Sequence, residues 1–163
     1  MFSVWIDADS CPKKVREYIF NRTSKNSVPL YFVANREIPL NQKKGSSTEK
    51  FNMIVCKNEE QAADDYIFEH STPGDIVITR DIPFAARLIE KKICVMNDRG
   101  LLFTRENIGE KLSERNFNLN LAILGLDGEN KKTYYGNKEF ERFCRCFDRE
   151  FQQKLTNARY GVN

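Results

Sequence analysis

The sequence predicts an α/β domain, three layers built around a central, mainly parallel sheet of about five strands. Three observations carry this. Short apolar or β-branched runs recur at residues 2–6, 28–34, 51–55, 75–79 and 93–96. Helical periodicity of 3.6 residues fills most of the gaps between them, and strands alternating with helices build right-handed βαβ units. The first run is apolar apart from Ser3 rather than alternating, as a strand covered on both faces requires. A chain of 163 residues, 40% of them hydrophobic, suits one core. We set the domain at residues 1–155 and a short tail at 156–163.

The first run ends in Asp7-Ala8-Asp9-Ser10-Cys11-Pro12. Pro12 suits the first turn of a helix, where its missing N–H is no loss, and Val15, Tyr18, Ile19 and Arg22 mark one helical face. The polar residues 23–27 should end that helix. The second strand closes at Asn35-Arg36, and residues 37–50 read as a loop carrying Lys43, Lys44 and Lys50. A helix over 59–69 would turn Ala62, Ala63, Tyr66 and Ile67 inward, with Asp64 and Asp65 near its middle.

Pro73-Gly74 makes a turn into the fourth strand, which runs into Arg80-Asp81-Ile82-Pro83 and a helix lined by Phe84, Ala85, Leu88 and Ile89. The fifth strand ends at Asn97-Asp98-Arg99-Gly100, and residues 101–103 suit a small extra strand. Thr104 is a plausible N-cap for a helix including Ile108 and Leu112. Residues 117–126 are apolar-rich, as helix or packing segment, and 127–138 form a loop. Phe140, Phe143, Cys144, Phe147, Phe151 and Leu155 make an aromatic helical stripe that fits core or dimer packing.

Three strand ends coincide with acids: Asp7 and Asp9, Asp81, and Asp98. Parallel strands share one carboxyl edge, which is where ligands bind in open α/β sheets. Clustered carboxylates need a cation or a shared proton to offset their repulsion. Each acid also has a plainer reading. Asp9 and Asp81 fit helix N-caps and Asp64 a solvated helix face. Net charge is only +3, so basic residues near the acids matter more than the total.

Five cysteines without zinc-finger or secreted-framework spacing suggest reduced thiols and a cytoplasmic protein. No apolar run approaches the roughly 20 residues of a membrane span, and the start of the chain has no secretory-signal pattern. Cys11 reads as a structural thiol, because Arg16 falls one residue short of a cysteine-phosphatase loop. His70 is the only histidine, which argues against histidine-based hydrolysis.

Taken in order, Asp7-Ala8-Asp9-Ser10-Cys11-Pro12, Val33-Ala34-Asn35, Ala63-Asp64 with Ile67, Gly74-Asp75-Ile76-Val77-Ile78-Thr79-Arg80-Asp81-Ile82-Pro83-Phe84-Ala85, and Asn97 with Arg99-Gly100 resemble the bacterial YaiI/YqxD family (UPF0178, DUF188). The resemblance spans residues 2–155. It implies a PIN-like domain, the fold of metal-dependent ribonucleases and flap nucleases. By that pattern Asp7 and Asp81 are the metal ligands, and Asp9 and Asp64 are supporting acids, with Asp64 able to share the ion. Gln61 is neutral where the family often carries an acid, and Asp98 stands where it commonly has proline.

The activity implied is hydrolysis of phosphodiester bonds in nucleic acid, RNA ahead of DNA, with Mg²⁺ or Mn²⁺ as cofactor, since hard oxygen ligands select these ions. Asp7, Asp9, Asp64 and Asp81 would be catalytic. Lys13, Arg80 and Arg99 would hold phosphates, with Lys14 nearby. Two other readings remain open. One is a nucleic-acid-binding module without catalysis. The other is a haloacid-dehalogenase-like phosphatase using Asp7 as nucleophile and Asp9 as acid/base. The oligomeric state is open.

Overall fold

The computed structural model describes residues 1–39, 50–57, 59, 61–128 and 134–161. Lys43, Lys44, Glu60 and part of the loop expected over 127–138 lie outside the described residues. The strands are β1 (Val4–Asp7), β2 (Leu30–Ala34), β3 (Phe51–Val55), β4 (Ile76–Ile78), β5 (Cys94–Met96) and β6 (Leu102–Phe103). The helices are α1 (Lys13–Lys25), α2 (Ala62–His70), α3 (Ile82–Glu90), α4 (Ile108–Ile123) and α5 (Asn137–Tyr160). The sheet has six strands in the order β3-β2-β1-β4-β5-β6. All pairs are parallel except β5 with β6, which is antiparallel. The expected five strands are thus joined by the small sixth one.

Strand alternation sends successive side chains to opposite faces, and the two cores follow it. Val4, Ile6, Leu30, Phe32, Ile76, Ile78 and Met96 pack with Val15 and Ile19 of α1 and Phe143, Phe147 and Phe151 of α5. Trp5, Val33, Val77 and Val95 pack with Ala63 and Ile67 of α2 and Phe84, Ala85 and Leu88 of α3. These are the three layers. The aromatic stripe of α5 is core. Phe143, Phe147 and Phe151 stack in series with centroids 5.6 and 5.2 Å apart and are fully buried.

Two local expectations change, and the Thr104 cap gains a partner. α1 continues through Thr23, which is buried because its hydroxyl donates back to the Ile19 and Phe20 carbonyls, at 2.9 and 3.1 Å. Thr104 caps the turn that leads into α4, in the reciprocal pattern of a capping box. It exchanges bonds with Asn107, the residue before the helix: its N–H donates to Asn107 Oδ1 at 2.8 Å and its Oγ1 accepts from the Asn107 N–H at 3.2 Å. α5 runs to Tyr160, so the tail expected from 156 is helix for most of its length.

At the amino-terminal edge of the sheet, buried Asp75 joins β1 to β4. It accepts hydrogen bonds from the Ser3 N–H at 2.8 Å, the Trp5 indole at 2.9 Å and the Thr72 N–H at 2.9 Å. Three donors satisfy a carboxylate that would otherwise be costly to bury.

At the opposite edge, the turn between β5 and β6 presses on α5. Gly100 has φ +80°, and a Cβ there would sit 2.5 Å from the Arg142 carbonyl and 2.8 Å from the Phe143 nitrogen. No described helix is long and apolar enough to cross a membrane. Gly100→Ala combines a left-handed backbone with a backbone clash, so it should lower stability by about 2–3 kcal/mol in urea unfolding. A loss below about 0.5 kcal/mol, the range of neutral surface changes, would show that the turn is not clamped against α5.

Candidate active site

From β1 the chain steps to β2 on one side and later to β4 on the other, so the strand order reverses between β1 and β4. Crevices at such switch points are where open α/β sheets bind ligands. Here the crevice is an open cleft of about 450 Å³ lined by Asp7, Ser10, Arg80, Asp81, Ile82 and Arg115. Pairing of Ile6 with Ile78 sets the two strand ends side by side. Asp7 closes β1, and Asp81 follows β4 by three residues.

Thr79 links the two acids. Its buried hydroxyl donates to Asp7 Oδ2 at 3.3 Å and accepts from the Asp81 N–H at 3.1 Å. Asp81 is also the N-cap of α3, since Oδ1 accepts from the Phe84 N–H at 2.8 Å. The N-cap reading of Asp81 therefore holds alongside its place in the cleft.

The electrostatics are those of acids gathered without a counter-charge. Burial, then the charge of Asp9, and also that of Asp81, push the Asp7 carboxyl up to about 6, against hydrogen bonds from Thr79 and Ser10. Asp64, in the first turn of α2, is pushed up to about 7 by burial and then by the charges of Asp7, Asp81 and neighbouring Asp65; Arg87 opposes the shift. The ion pairs among the described residues leave out Asp7, Asp64 and Asp81.

Asp9 is placed differently. Its Oδ2 accepts from the Asn35 N–H at 2.8 Å, and Arg36 Nε lies 3.9 Å from Oδ1. It ties the end of β2 to the turn after β1. It does not cap α1, which follows Pro12 with no side-chain cap. Asp98, the acid after β5, is buried at 2% side-chain exposure and grips Arg80, whose Nε lies 3.0 and 2.9 Å from its two oxygens while Nη2 also donates. That forked pair fixes Arg80, which is still 45% exposed, on the wall of the cleft.

The other expected phosphate contacts lie elsewhere. Lys13 pairs with Glu17 at 3.8 Å on the exposed side of α1. Arg99 rests over the Tyr135 ring at 5.5 Å, as Lys14 does at 5.4 Å. Neither Lys13 nor Arg99 lines the cleft. Gln61 precedes α2 in a left-handed conformation, φ +65°. Burial, first of all, pushes the Cys11 thiol far up, so it stays protonated and is no nucleophile. His70 is stacked on Tyr66 with its Nδ1 2.8 Å from the Tyr66 carbonyl oxygen.

Three side chains at or beside the cleft were not singled out from the sequence. Ser10 and Thr79 stand inside the motifs, Thr79 as the last residue of the fourth strand's run, but neither was given a role. Arg115 carries no sequence signal, because only the docking of α4 against α3 brings it to the cleft.

A family model described as "Uncharacterized BCR, YaiI/YqxD family" matches residues 5–153. The chain belongs to the YaiI/YqxD family. Its relatives include UPF0178 proteins of Treponema denticola, 46% identical over 89% of this chain and 88% of the relative, and Treponema pallidum, 39% identical over 96% and 85%. Another, from Psychromonas ingrahamii, is 37% identical over 93% of this chain and 96% of its own. No solved structure matches the chain.

The PIN-like resemblance of the YaiI/YqxD family implies a divalent ion, and the donors can be tested for it. Among the described residues no three His, Cys, Asp or Glu side chains stand close enough to close around one ion. Mg²⁺, however, is usually held by one or two carboxylates and keeps several waters. Asp7 and Asp81, hard oxygen donors facing one open cleft without an ion-pair partner, fit that mode and not a closed cage.

Raised carboxyls give the site a definite pH signature. The native Asp7 holds its proton to about 6, against 3.8 ordinarily. Between those values the native state binds more protons than the unfolded chain, so this contribution to stability is full at low pH and is lost as pH rises. Asp64 extends the window to about 7. In metal-free buffer, Asp7→Asn should melt above the parent at pH 7.5, by on the order of 3 °C, with the gap closing toward pH 4. A gap independent of pH between 4 and 7.5 would contradict the electrostatic origin.

Proposed function

We propose that the protein is a metal-dependent nuclease of PIN-like type, hydrolysing phosphodiester bonds in RNA or DNA at the cleft between β1 and β4. The observation that carries this reading is the meeting of Asp7 and Asp81, with Asp64 near, in an open cleft flanked by Arg80 and Arg115. Acids for a cation and guanidinium groups for phosphates are what a charged diester needs in one place.

Asp7 and Asp81 would hold a Mg²⁺ or Mn²⁺ ion. When bound, such an ion offsets the acids' repulsion and supplies Lewis-acid stabilisation of charge on the phosphoryl oxygens. Thr79, through its two hydrogen bonds, ties the Asp7 carboxylate to the Asp81 backbone. Arg80, braced by Asp98, and Arg115, on α4, orient the diester from opposite elements of the cleft. Asp64, in the first turn of α2 and close enough to feel the charges of Asp7 and Asp81, would take the proton of the attacking water as its general base.

The phosphatase reading is weaker in this geometry. It needs the Asp9 carboxyl beside the substrate as acid/base, but that carboxyl accepts from the Asn35 amide. A binding module without catalysis keeps the basic walls but leaves the gathered acids unexplained, since they repel a nucleic acid unless a cation is present.

The test is cleavage of single-stranded RNA and DNA, and of a generic phosphate monoester, with and without Mg²⁺ or Mn²⁺. Metal-dependent diester cleavage is expected, RNA ahead of DNA, with the metal concentration needed rising as pH falls, because protons compete with the cation for the raised carboxyls. Asp7→Asn and Asp81→Asn should each reduce it at least about 100-fold, and Arg115→Ala should weaken substrate binding about tenfold. Full activity in Asp7→Asn removes the proposed site. Salt-sensitive binding without cleavage supports the module instead, and monoester hydrolysis through a phospho-aspartate supports the phosphatase.

A further inference from the structure

A second set of charges and rings stands beside the cleft and takes no part in the chemistry proposed for it. Tyr135, in the segment leading into α5, donates its hydroxyl at 2.6 Å to the carbonyl of Asp98, the residue that braces Arg80. That bond ties the Tyr135 ring to the wall of the cleft. Lys14, at the start of α1, lies 5.4 Å from the centre of the same ring and 5.1 Å from the centre of Phe140.

The fold leaves two of these groups unused. Lys13 has Glu17, but Lys14 is absent from the ion pairs among the described residues, and no acid stands in the first turn of α1. An ammonium resting over aromatic faces keeps its charge available to an anion. Tyr134 is 83% exposed, so it packs no core. Its ring lies on bare main chain: a Cβ on Gly136 would sit 2.6 Å from Cε1 of that ring. The nearby acid Glu139 is already engaged. Its Oε2 accepts from the Gly136 N–H at 2.8 Å, with the charges of Arg99 and Arg142 close by.

An ammonium for a phosphate and an open ring for a flat apolar face are met together by one class of ligand, a nucleotide. Stacking on an aromatic side chain tolerates any base, because every base has a π-face, but that face must be free. A duplex keeps those faces in its own stack. Asp98 joins this spot to Arg80 and the cleft, so a strand seated in the cleft is the polymer within reach.

We propose that Tyr134 and Lys14 form a subsite for a nucleotide flanking the scissile position, Tyr134 stacking on an unpaired base and Lys14 pairing with a phosphate. A strand in the cleft then continues over Arg80 toward α1 and α5, and single-stranded length on that side sets its affinity. The polymer's identity rests on the nuclease reading, while the subsite is read by binding.

Fluorescence anisotropy with labelled single-stranded RNA of about 12 nucleotides, in Mg²⁺, tests it. Tyr134→Ala should weaken binding about tenfold, and Tyr134→Phe should keep the parent's affinity, since the ring and not the hydroxyl stacks. Lys14→Ala should lower the slope of log K against log salt by about 0.7. Tyr134→Ala should leave the melting temperature unchanged, as at exposed positions. It should also leave metal-dependent hydrolysis of bis(p-nitrophenyl) phosphate, too small to reach Tyr134, at the parent's level. RNA binding unchanged in Tyr134→Ala or in Lys14→Ala overturns the subsite, and so does a parent that binds no RNA at about 100 µM. In either case hydrolysis of the small diester keeps the cleft reading standing. Equal loss on RNA and on the small diester also overturns the subsite, giving Tyr134 a structural role. Binding that depends on both residues, with neither substrate cleaved, upholds the subsite and removes the nuclease reading.

Discussion

Parallel pairing of β1 with β4 forces two carboxylates into one crevice, and most of what is distinctive in this protein follows from that. Val4, Trp5 and Ile6 pair with Ile76, Val77 and Ile78 in the centre of the sheet, where both faces are covered. The strand ends cannot separate without breaking both cores. Asp7 and Asp81 are held close by the whole hydrophobic structure, against their own repulsion. Burial above all, and then the charges of neighbouring acids, raise the Asp7 and Asp64 carboxyls, and a cation is the simplest species that offsets that crowding.

Neighbouring groups define what the crevice can do. Buried Asp98 directs its charge to Arg80, so it serves the cleft by bracing a cation and does not join the acid cluster. The Tyr135 hydroxyl donates to the Asp98 carbonyl at 2.6 Å, which ties this brace to the segment leading into α5. Asp9 performs a similar task for the backbone by gripping Asn35. Of four acids at or near strand ends, Asp7 and Asp81 face the open cleft, and Asp9 and Asp98 hold its frame.

The centre of the sheet was legible in the sequence because β1, β2 and β4 are buried on both faces. Continuous apolar runs ended where carboxylates began, and β3 was bounded to the residue. The strand-end acids were legible for the same reason, since topology alone brings Asp7 and Asp81 to one edge. Partners across long separations were not. Nothing local to Asp9 shows that the amide it accepts from is that of Asn35, and nothing local to Asp98 shows that Arg80 will neutralise it. Arg115 was invisible because its helix reaches the cleft through packing on α3. The cap at Thr104 was legible because it is local: Thr104 and Asn107 satisfy each other across the turn into α4. The exposed apolar side chains of α4 could not be told from core packing by periodicity, since periodicity reports apolarity and not what covers it.

The central claim is that Asp7 and Asp81 together receive a divalent cation. Anomalous diffraction from crystals grown with Mn²⁺ tests it most directly. The account predicts a manganese peak in the cleft with oxygens of both carboxylates in its coordination shell, and its disappearance in Asp7→Asn. Well-ordered Asp7 and Asp81 carboxylates with no manganese between them at saturating concentration would contradict it.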